Sequence, residues 1–342
     1  MTILLEKYEW EELLEPERCT PFIGPEAYAK WLPSCIDTVS SWAGEFRYPL
    51  VLEEFEEYYK TAREKYGYPL EDSHLLAKVA QFLAIEKGND LLPKSILGKQ
   101  LKNIKPPDFS LPEYQNTPYA VLAELDLPIY ITTNYDHFME AALLKRGKRP
   151  VSEFCRWNER LVKYTEQSGI PSVFDKDQKY EPNEDDGVHL EYRPTTLPYK
   201  PSPAEPLVYH LHGIFEIPYS MVLTEKDYFD FAISLAKIGP GETFPPRVRK
   251  AFTGSLLFIG YRLEDITFRV IFQALTATQE VEIPRPICVA VQLPPKSLGK
   301  AQDYLNKYTK NMFKVNVCWG DLEEFLIELR QQWNDFKRKR IS

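Results

Sequence analysis

The stretch Pro128 to Asp136, P-I-Y-I-T-T-N-Y-D, decides the fold, because an apolar run ends abruptly in polar residues. The apolar run predicts a buried strand, and Thr133, Asn134 and Asp136 follow at its tip. In open α/β sheets, ligands bind beyond the carboxyl ends of the strands. The stretch therefore predicts a strand that delivers functional side chains to a binding site.

Three other segments share this design. Leu207 to Gly213, L-V-Y-H-L-H-G, ends in a histidine and a glycine, and Leu256 to Asp265, L-L-F-I-G-Y-R-L-E-D, passes through a glycine into polar residues. Thr20 to Gly24, T-P-F-I-G, predicts a short first strand that ends in a glycine turn. Residues far apart in sequence can thus converge on one ligand at the ends of parallel strands.

Predicted strands and helices alternate along most of the chain, which favours an α/β fold with a parallel, Rossmann-like sheet and right-handed crossovers. Apolar spacing of three and four residues predicts helices. The predicted helices are Leu52 to Tyr66, Ser73 to Glu86, Tyr119 to Leu125, His137 to Arg146, Glu225 to Lys237 and Glu264 to Thr278. Two further strands are predicted at Pro286 to Leu293 and Val315 to Trp319, and a terminal helix follows the second.

The 342 residues, 44% of them hydrophobic, suit one large domain covering 1–342. We expect a helical insertion at about 48–125 and a C-terminal strand and helix at 313–342. Residues 150–206 carry many prolines and the acidic run Glu184, Asp185 and Asp186, which predicts irregular structure with a short hairpin or lid.

Charge and cysteine usage narrow the class of protein. The formal charge of −8 argues against a surface that coats nucleic acid, so no direct nucleic-acid binding is expected. The basic run Phe336 to Arg340 is interpreted as a solvated helix end, with contact to a partner or nucleic acid as the alternative. Five scattered cysteines without a C-x-x-C motif predict reduced thiols and no metal site. The sequence shows neither a targeting segment nor a membrane span, which favours a cytoplasmic protein.

Thr132 to Asp136, Leu211 to Gly213 and Gly260 to Asp265 resemble motifs of the sirtuin-like NAD-binding superfamily, and they are most similar to its prokaryotic branch. In sirtuins, a T-x-N-x-D element and a histidine followed by glycine line the pocket for nicotinamide and its ribose. Both elements occur here in the same order. The family-like features also include Pro21 to Gly24, Arg156 to Asn158 and Val222 to Tyr228, which extend the resemblance over most of the chain.

The resemblance implies a role for each matched residue, with NAD+ as the substrate and no required cofactor. His212 would act as a base, and Asn134 would hold a water or a ribose hydroxyl. Asp136 would accept a hydrogen bond from the carboxamide of nicotinamide. A neutral histidine with an ordinary pKa near 6.5 suits proton transfer near neutrality. The implied dinucleotide contacts are Gly24, Thr133, Gly213, Gly260, Tyr261 and Asp265.

Simpler structural roles compete with these assignments. Asn134 would equally well cap the helix that begins near Asp136, and Asp265 would cap the helix after it. His210 lies two residues before His212, one step deeper in the strand, and is interpreted as a core or supporting residue. His137 and His74 are interpreted as helix-surface or packing residues.

The chain departs from the family in two places. Sirtuin relatives usually carry G-A-G where this chain has Gly24, Pro25 and Glu26, and a glutamate would repel a pyrophosphate. The two C-x-x-C motifs of the zinc module of protein-deacylating sirtuins are also missing, which predicts no zinc ribbon and favours water as the acceptor. This layout resembles NAD-hydrolysing effectors of bacterial antiphage defence, which commonly work with a HerA-like ATPase or another phage sensor.

The sequence therefore predicts an NAD+ glycohydrolase that forms a homo-oligomer and is controlled by such a partner. A regulatory subunit that binds NAD+ or ADP-ribose without turnover is the alternative, and Glu26 favours it. A protein deacylase is disfavoured by the cysteine pattern. A nicotinamide dehydrogenase is disfavoured because no G-x-G-x-x-G follows a predicted strand.

Overall fold

The computed structural model describes residues 5–15, 18–28, 35–49, 73–174, 199–238, 244–261, 269, 272, 287–292 and 300–341. Within these ranges the chain forms one seven-stranded sheet with helices on both faces. The predicted helix from Leu52 to Tyr66 lies outside the described residues, as does all but two residues of the helix predicted from Glu264 to Thr278.

The sheet has the parallel arrangement that the alternating pattern predicts. Its strands are β1 (Cys19–Ile23), β2 (Ile129–Thr132), β3 (Val151–Phe154), β4 (Leu207–His210), β5 (Ser255–Ile259), β6 (Cys288–Gln292) and β7 (Val315–Trp319). They lie in the order β3-β4-β2-β1-β5-β6-β7, and every pair is parallel. The chain leaves β1 toward β2 on one side and continues from β5 toward β6 on the other, which makes a topological switch point beside β1.

Eleven helices are present among the described residues. They are α1 (Lys7–Leu13), α2 (Cys35–Phe46), α3 (Ser73–Glu86), α4 (Leu92–Lys102), α5 (Pro118–Glu124), α6 (Phe138–Lys145), α7 (Glu159–Gln167), α8 (Glu225–Ile238), α9 (Pro246–Ala251), α10 (Lys300–Phe313) and α11 (Leu322–Ile341). With the parallel sheet, they form an α/β, Rossmann-like architecture.

Side chains alternate between the two faces of the sheet and build two cores. Along β5, Leu257 and Ile259 pack into a core shared with α1, α5 and α11, whereas Leu256 and Phe258 pack into a core shared with α8 and α9. All five residues of β5 are buried. Burial of one such side chain stabilises the fold by about 1.5 to 3 kcal/mol, so both helical layers hold the sheet in place.

A third apolar cluster joins α2, α3 and α4 into a helical unit beside the sheet. The sequence predicts this helical insertion at about 48–125, but the observed unit has different bounds. Helix α2 ends at Phe46 and packs on α3, whereas the buried residues of α5 pack in the core of the sheet. Met221 and Leu223, which follow β4, belong to the cluster of the helical unit.

The segment 150–206, predicted as irregular, contains regular structure in its described part. Val151–Phe154 form β3, and Glu159–Gln167 form α7, which Asn158 caps by accepting a hydrogen bond from Leu161 N at 2.8 Å. Strand β3 has only four residues and includes the polar Ser152 and Glu153, so apolar periodicity did not reveal it. Among the described strands it pairs only with β4, at the edge of the sheet.

None of the helices in the described ranges has the length and apolar character needed to cross a membrane.

Candidate active site

The strand ends that carry the predicted site residues lie side by side. Strands β4, β2, β1 and β5 are consecutive in the sheet, and main-chain hydrogen bonds continue past their last residues. Leu211 N donates to Thr132 O at 2.7 Å, Thr133 N donates to Ile23 O at 3.1 Å, and Gly24 N donates to Ile259 O at 2.8 Å. The four loops therefore start from one carboxyl edge, as the sequence predicts.

Asn134 is held at this edge by its amide nitrogen. Its Nδ2 donates to Gly24 O and to Tyr119 Oη, both at 3.1 Å, and its side chain is buried, with 2% of the residue exposed. Its Oδ1 has no hydrogen-bond partner in the described part of the chain. The alternative interpretation of Asn134 as a helix cap is wrong, because its side chain points to the end of β1 and to α5.

Asp136 takes part of the capping role instead. Its Oδ1 accepts from Phe138 N at 2.9 Å, in the first turn of α6. Its Oδ2 is buried and has no hydrogen-bond partner among the described residues. Burial raises the pKa of Asp136 from 3.8 to about 6, although the bond from Phe138 N and the charge of His210 oppose that rise. The carboxyl group therefore changes its charge close to physiological pH.

His212 follows β4 and lies against α8. Its ring meets the rings of Tyr228 and Phe231 edge to face, with centroids 5.5 and 5.4 Å away, and 6% of the residue is exposed. Gly213 has φ +86°, and a Cβ there would lie 2.3 Å from Ser220 O. A glycine is thus required by the tight turn after His212, and this holds whether or not Gly213 contacts a ligand.

Gly24 and Gly260 fit against each other at the switch point. A Cβ on Gly24 would lie 2.4 Å from Gly260 O, and a Cβ on Gly260, which has φ +72°, would lie 2.4 Å from Ala27 N. Glu26 N donates to Gly260 O at 3.1 Å. The turn Pro25–Tyr28 that replaces the G-A-G element is therefore folded onto the end of β5 through its main chain.

Thr133 and Tyr261 form a buried bridge between the ends of β2 and β5. Thr133 Oγ1 and Tyr261 Oη lie 2.7 Å apart, and Tyr261 Oη donates to Ile23 O at 3.1 Å. The side chains of these two predicted contact residues thus cover the carboxyl end of β1, which lies between β2 and β5. Asp265, the last predicted contact, lies outside the described residues, and so does Arg262.

Three buried residues and the exposed Glu216 form a group of charged side chains beneath the site, of which the sequence analysis recognised only His210, as a core or supporting residue. His210 Nδ1 lies 2.9 Å from Asn134 O, and His210 Nε2 lies 2.8 Å from Glu140 Oε1. His137 Nδ1 lies 3.1 Å from the same Glu140 oxygen, and His137 Nε2 lies 2.8 Å from Glu216 Oε1. We call these four residues the histidine–glutamate network. Of the two interpretations of His137, helix surface or packing, the surface one is wrong, since the residue is 7% exposed.

Charges within this network offset the cost of its burial. Burial opposes ionisation of Glu140, but His210 and His137 outweigh it and hold the pKa of Glu140 far below its ordinary value. Burial alone would lower the pKa of His137, but Glu140 and Glu216 raise it well above 6.5. Ser152 Oγ also donates to Glu140 Oε1. A carboxylate in the apolar helix F-M-E-A-A-L-L is the sequence signal that could have revealed Glu140, because unpaired acids are rarely buried.

His137, Glu140 and His210 are also spaced closely enough to hold a metal ion, since one ligand atom from each lies within 4.8 Å of the others. The hydrogen bonds account for the same atoms without an ion. In the described part of the chain, Cys19, Cys155, Cys288 and Cys318 are buried. Burial, the largest cause, raises the pKa of the Cys19, Cys155 and Cys318 thiols to about 12.

Comparison with known proteins places the site within a family. The family model described as the SIR2-like domain matches residues 128–312. The match includes the strand ends after β2, β4 and β5, and it supports the sirtuin-like resemblance of their motifs. No curated protein matches the chain.

Proposed function

Because the chain belongs to the family of SIR2-like domains, we propose that it is an NAD+ glycohydrolase. Membership of this family is compatible with an NAD-dependent enzyme activity. The proposed reaction transfers the ribosyl carbon of NAD+ from the nicotinamide nitrogen to a water oxygen and yields nicotinamide, ADP-ribose and a proton. The observation that carries the proposal is the pair of buried acceptors, Asn134 Oδ1 and Asp136 Oδ2, which lie in the loop after β2 and have no hydrogen-bond partner among the described residues.

The donor groups of the substrate fit these acceptors. A buried acceptor without a hydrogen bond costs about 1 to 3 kcal/mol, so nearly all such groups in proteins find partners. The nicotinamide carboxamide and the ribose hydroxyls offer N–H and O–H donors. Asp136 would accept from the carboxamide, and Asn134 would accept from a ribose hydroxyl or the incoming water.

His212 would take the proton that the water or a ribose hydroxyl loses. Cleavage of the bond to nicotinamide builds positive charge on the ribose ring, and nearby oxygen atoms stabilise such charge. Asp136 is partly ionised near neutral pH because burial raises its pKa to about 6, so it would also contribute negative charge. Nicotinamide leaves as a neutral molecule and needs no acid.

Gly24, Thr133, Gly213, Gly260 and Tyr261 would form the dinucleotide contacts, together with Asp265. The close main-chain packing of Gly24 and Gly260 fixes the ends of β1 and β5, from which these contacts would be made. No cofactor and no metal ion would be required.

Water is the proposed acceptor because the helical unit of α2 to α4 lies where the loops after β2 and β4 meet. Tyr135 packs against this unit, and Tyr135 Oη donates to Val222 O at 2.6 Å. Gly98 of α4 lies so close that a Cβ there would be 2.8 Å from Phe215 O. This packing favours a small acceptor over an acyl-lysine peptide.

The proposed biological role is that of an effector in bacterial antiphage defence, acting on cytoplasmic NAD+. Burial of the site supports control of its activity, since Asn134, Asp136 and His212 are 2%, 6% and 6% exposed. An enzyme that destroys an essential metabolite must be inactive until infection. Opening of the site would then come from homo-oligomer formation or from a partner such as a HerA-like ATPase or another phage sensor.

The test is nicotinamide release from NAD+ by the purified protein, alone and with any ATPase encoded beside it. The parent should release nicotinamide and ADP-ribose in equal amounts, and His212→Ala should lower the rate by about two to four orders of magnitude. Absence of product in both preparations, or equal rates for the parent and His212→Ala, would count against the proposal.

A regulatory subunit that binds NAD+ or ADP-ribose without turnover is the second candidate. The position of Glu26 favours it, because the turn that carries this carboxylate is bonded to Gly260, a predicted dinucleotide contact. Calorimetry would detect NAD+ binding, and absence of nicotinamide release under the same conditions would select this candidate.

A further inference from the structure

The histidine–glutamate network connects two loops that the proposed reaction needs in a fixed relative position. Asn134 lies in the loop after β2, and His212 lies in the loop after β4. The network begins at Asn134 O and ends at Glu216, four residues beyond His212. Phe215 N also donates to Tyr135 O at 3.1 Å, so the two loops are joined at a second point.

Hydrogen-bond chemistry fixes the direction of each contact in the network. Asn134 O is a carbonyl oxygen and can only accept, so His210 Nδ1 donates to it. An ionised carboxylate also only accepts, so His210 Nε2 and both nitrogens of His137 donate to glutamates. Two imidazolium rings then balance Glu140 and Glu216. The His210 ring cannot turn without loss of a charge-assisted bond.

We propose that His210 is a positioning residue, which holds the main chain of Asn134 in its working position while Glu140, His137 and Glu216 fix the ring. Its kinetic consequences rest on the proposed function. His210 itself is 0% exposed, so the proposal gives it no direct contact with NAD+. It acts through Asn134, whose Oδ1 is a buried acceptor without a hydrogen-bond partner among the described residues.

Two substitutions of His210 separate this role from a general packing role. The amide of asparagine takes the place of imidazole Nδ1, and the amide of glutamine takes the place of Nε2. His210→Asn would therefore keep the donor to Asn134 O at the expense of Glu140. His210→Gln would keep the donor to Glu140 at the expense of Asn134 O.

The kinetic arm measures kcat and KM for NAD+ in both variants. His210→Gln should lower kcat by about 10- to 100-fold with little change in KM, as is usual when a group that orients an active-site residue is lost. His210→Asn should stay within about fivefold of the parent, since a neutral donor is roughly half as strong as a charged one. Equal losses, or a larger loss in His210→Asn, would overturn the proposal.

Glu153→Gln is the matched control for lost stability. Glu153 is also buried in the sheet, at 1% exposure, and its oxygens accept from Arg156 Nη1 at 2.8 Å and from Val173 N at 2.9 Å. It contacts neither the loop after β2 nor the loop after β4 in these bonds. A fall in kcat of Glu153→Gln as large as that of His210→Gln, at a similar melting temperature, would show that stability alone explains the effect.

If the parent releases no nicotinamide, the proposed function is contradicted but the positioning role of His210 is not. Crystal structures of the variants still test that role. Crystal structures should show the Asn134 carbonyl displaced in His210→Gln and unmoved in His210→Asn. An unmoved carbonyl in His210→Gln would overturn the inference. Elemental analysis of the parent should find no stoichiometric metal, and an ion bound by His137, Glu140 and His210 would replace the proposed hydrogen bonds and overturn it as well.

Discussion

The two halves of the sheet edge that carries the candidate site are built on different principles. At the ends of β1 and β5, Gly24 and Gly260 meet through main-chain atoms, with a contact that no side chain could enter. After β2, Asn134 and Asp136 are held by side-chain bonds, and His210 of the histidine–glutamate network joins them to the end of β4. The first half depends on glycines, which let the main chain come close, and the second depends on charged side chains, of which His137, Glu140 and His210 are buried.

We therefore expect the glycine half to determine folding and the fit of the nucleotide, and the polar half to determine the rate of the reaction. Substitution in the glycine half should change folding and nucleotide fit, because any added atom collides with the main chain. Substitution in the polar half should change the reaction rate or the pH dependence of the protein. Four experiments test whether the two halves respond in these different ways.

Asn134→Ala should have the largest effect and should act on the reaction. We expect kcat for nicotinamide release to fall by about two to four orders of magnitude, because an oriented amide next to the reacting groups is lost. KM for NAD+ should change much less. Steady-state kinetics measure both constants. A loss in kcat of less than tenfold would show that Asn134 does not have the proposed role in the reaction.

Gly260→Ala should act on folding instead. Alanine is strained at φ +72°, and its Cβ would lie 2.4 Å from Ala27 N. We expect the free energy of unfolding to fall by about 2 to 5 kcal/mol, measured by urea denaturation. Adding Ala27→Gly should not rescue it, because the nearest colliding atom belongs to the main chain. Full rescue would show that the contact depends on side chains after all.

Asp136→Asn should change the pH dependence of stability. Burial raises the pKa of Asp136 from 3.8 to about 6, so the folded state of the parent loses stability as pH rises between these values. The neutral variant should therefore gain up to about 3 kcal/mol relative to the parent between pH 4 and pH 7. Thermal unfolding across this range measures it, and a constant difference between the two proteins would contradict the assignment.

Ser152→Ala should have the smallest effect. Ser152 Oγ donates to Glu140 Oε1, which also accepts from both histidines. Loss of one donor should lower the free energy of unfolding by about 1 kcal/mol and leave kcat within about threefold. A tenfold fall in kcat would contradict this, because it would show that the bonds from the two histidines do not hold Glu140 in place without Ser152.

The sequence predicted the strand ends well because their signal is local. An apolar run that stops at Thr133, Asn134 or a glycine can be recognised within ten residues, and the structure places these stops on one edge. Strand β3 was missed because four residues with two polar side chains carry too little periodicity.

The network was missed for a different reason. His137 and Glu140 are close in sequence, but their meaning depends on His210 and Glu216, which only the fold brings near. Motif spacing shows which residues reach an edge. It does not show which oxygen atoms remain without a hydrogen-bond partner there, and among the described residues Asn134 Oδ1 is such an atom.

Strand order has a practical consequence for any attempt to excise the family-matched segment. Residues 128–312 contain β2 and β5, but β1, which lies between them, comes from Cys19–Ile23. Neighbouring strands are about 4.8 Å apart, so a fragment without β1 would leave a slot of about 10 Å that no main-chain hydrogen bond can cross. Such a fragment would consist of two separate sheets, in which β2 and β5 are edge strands, each with one unpaired side. Unpaired edges bind other extended peptides, so the fragment should aggregate and should not form the central part of the sheet.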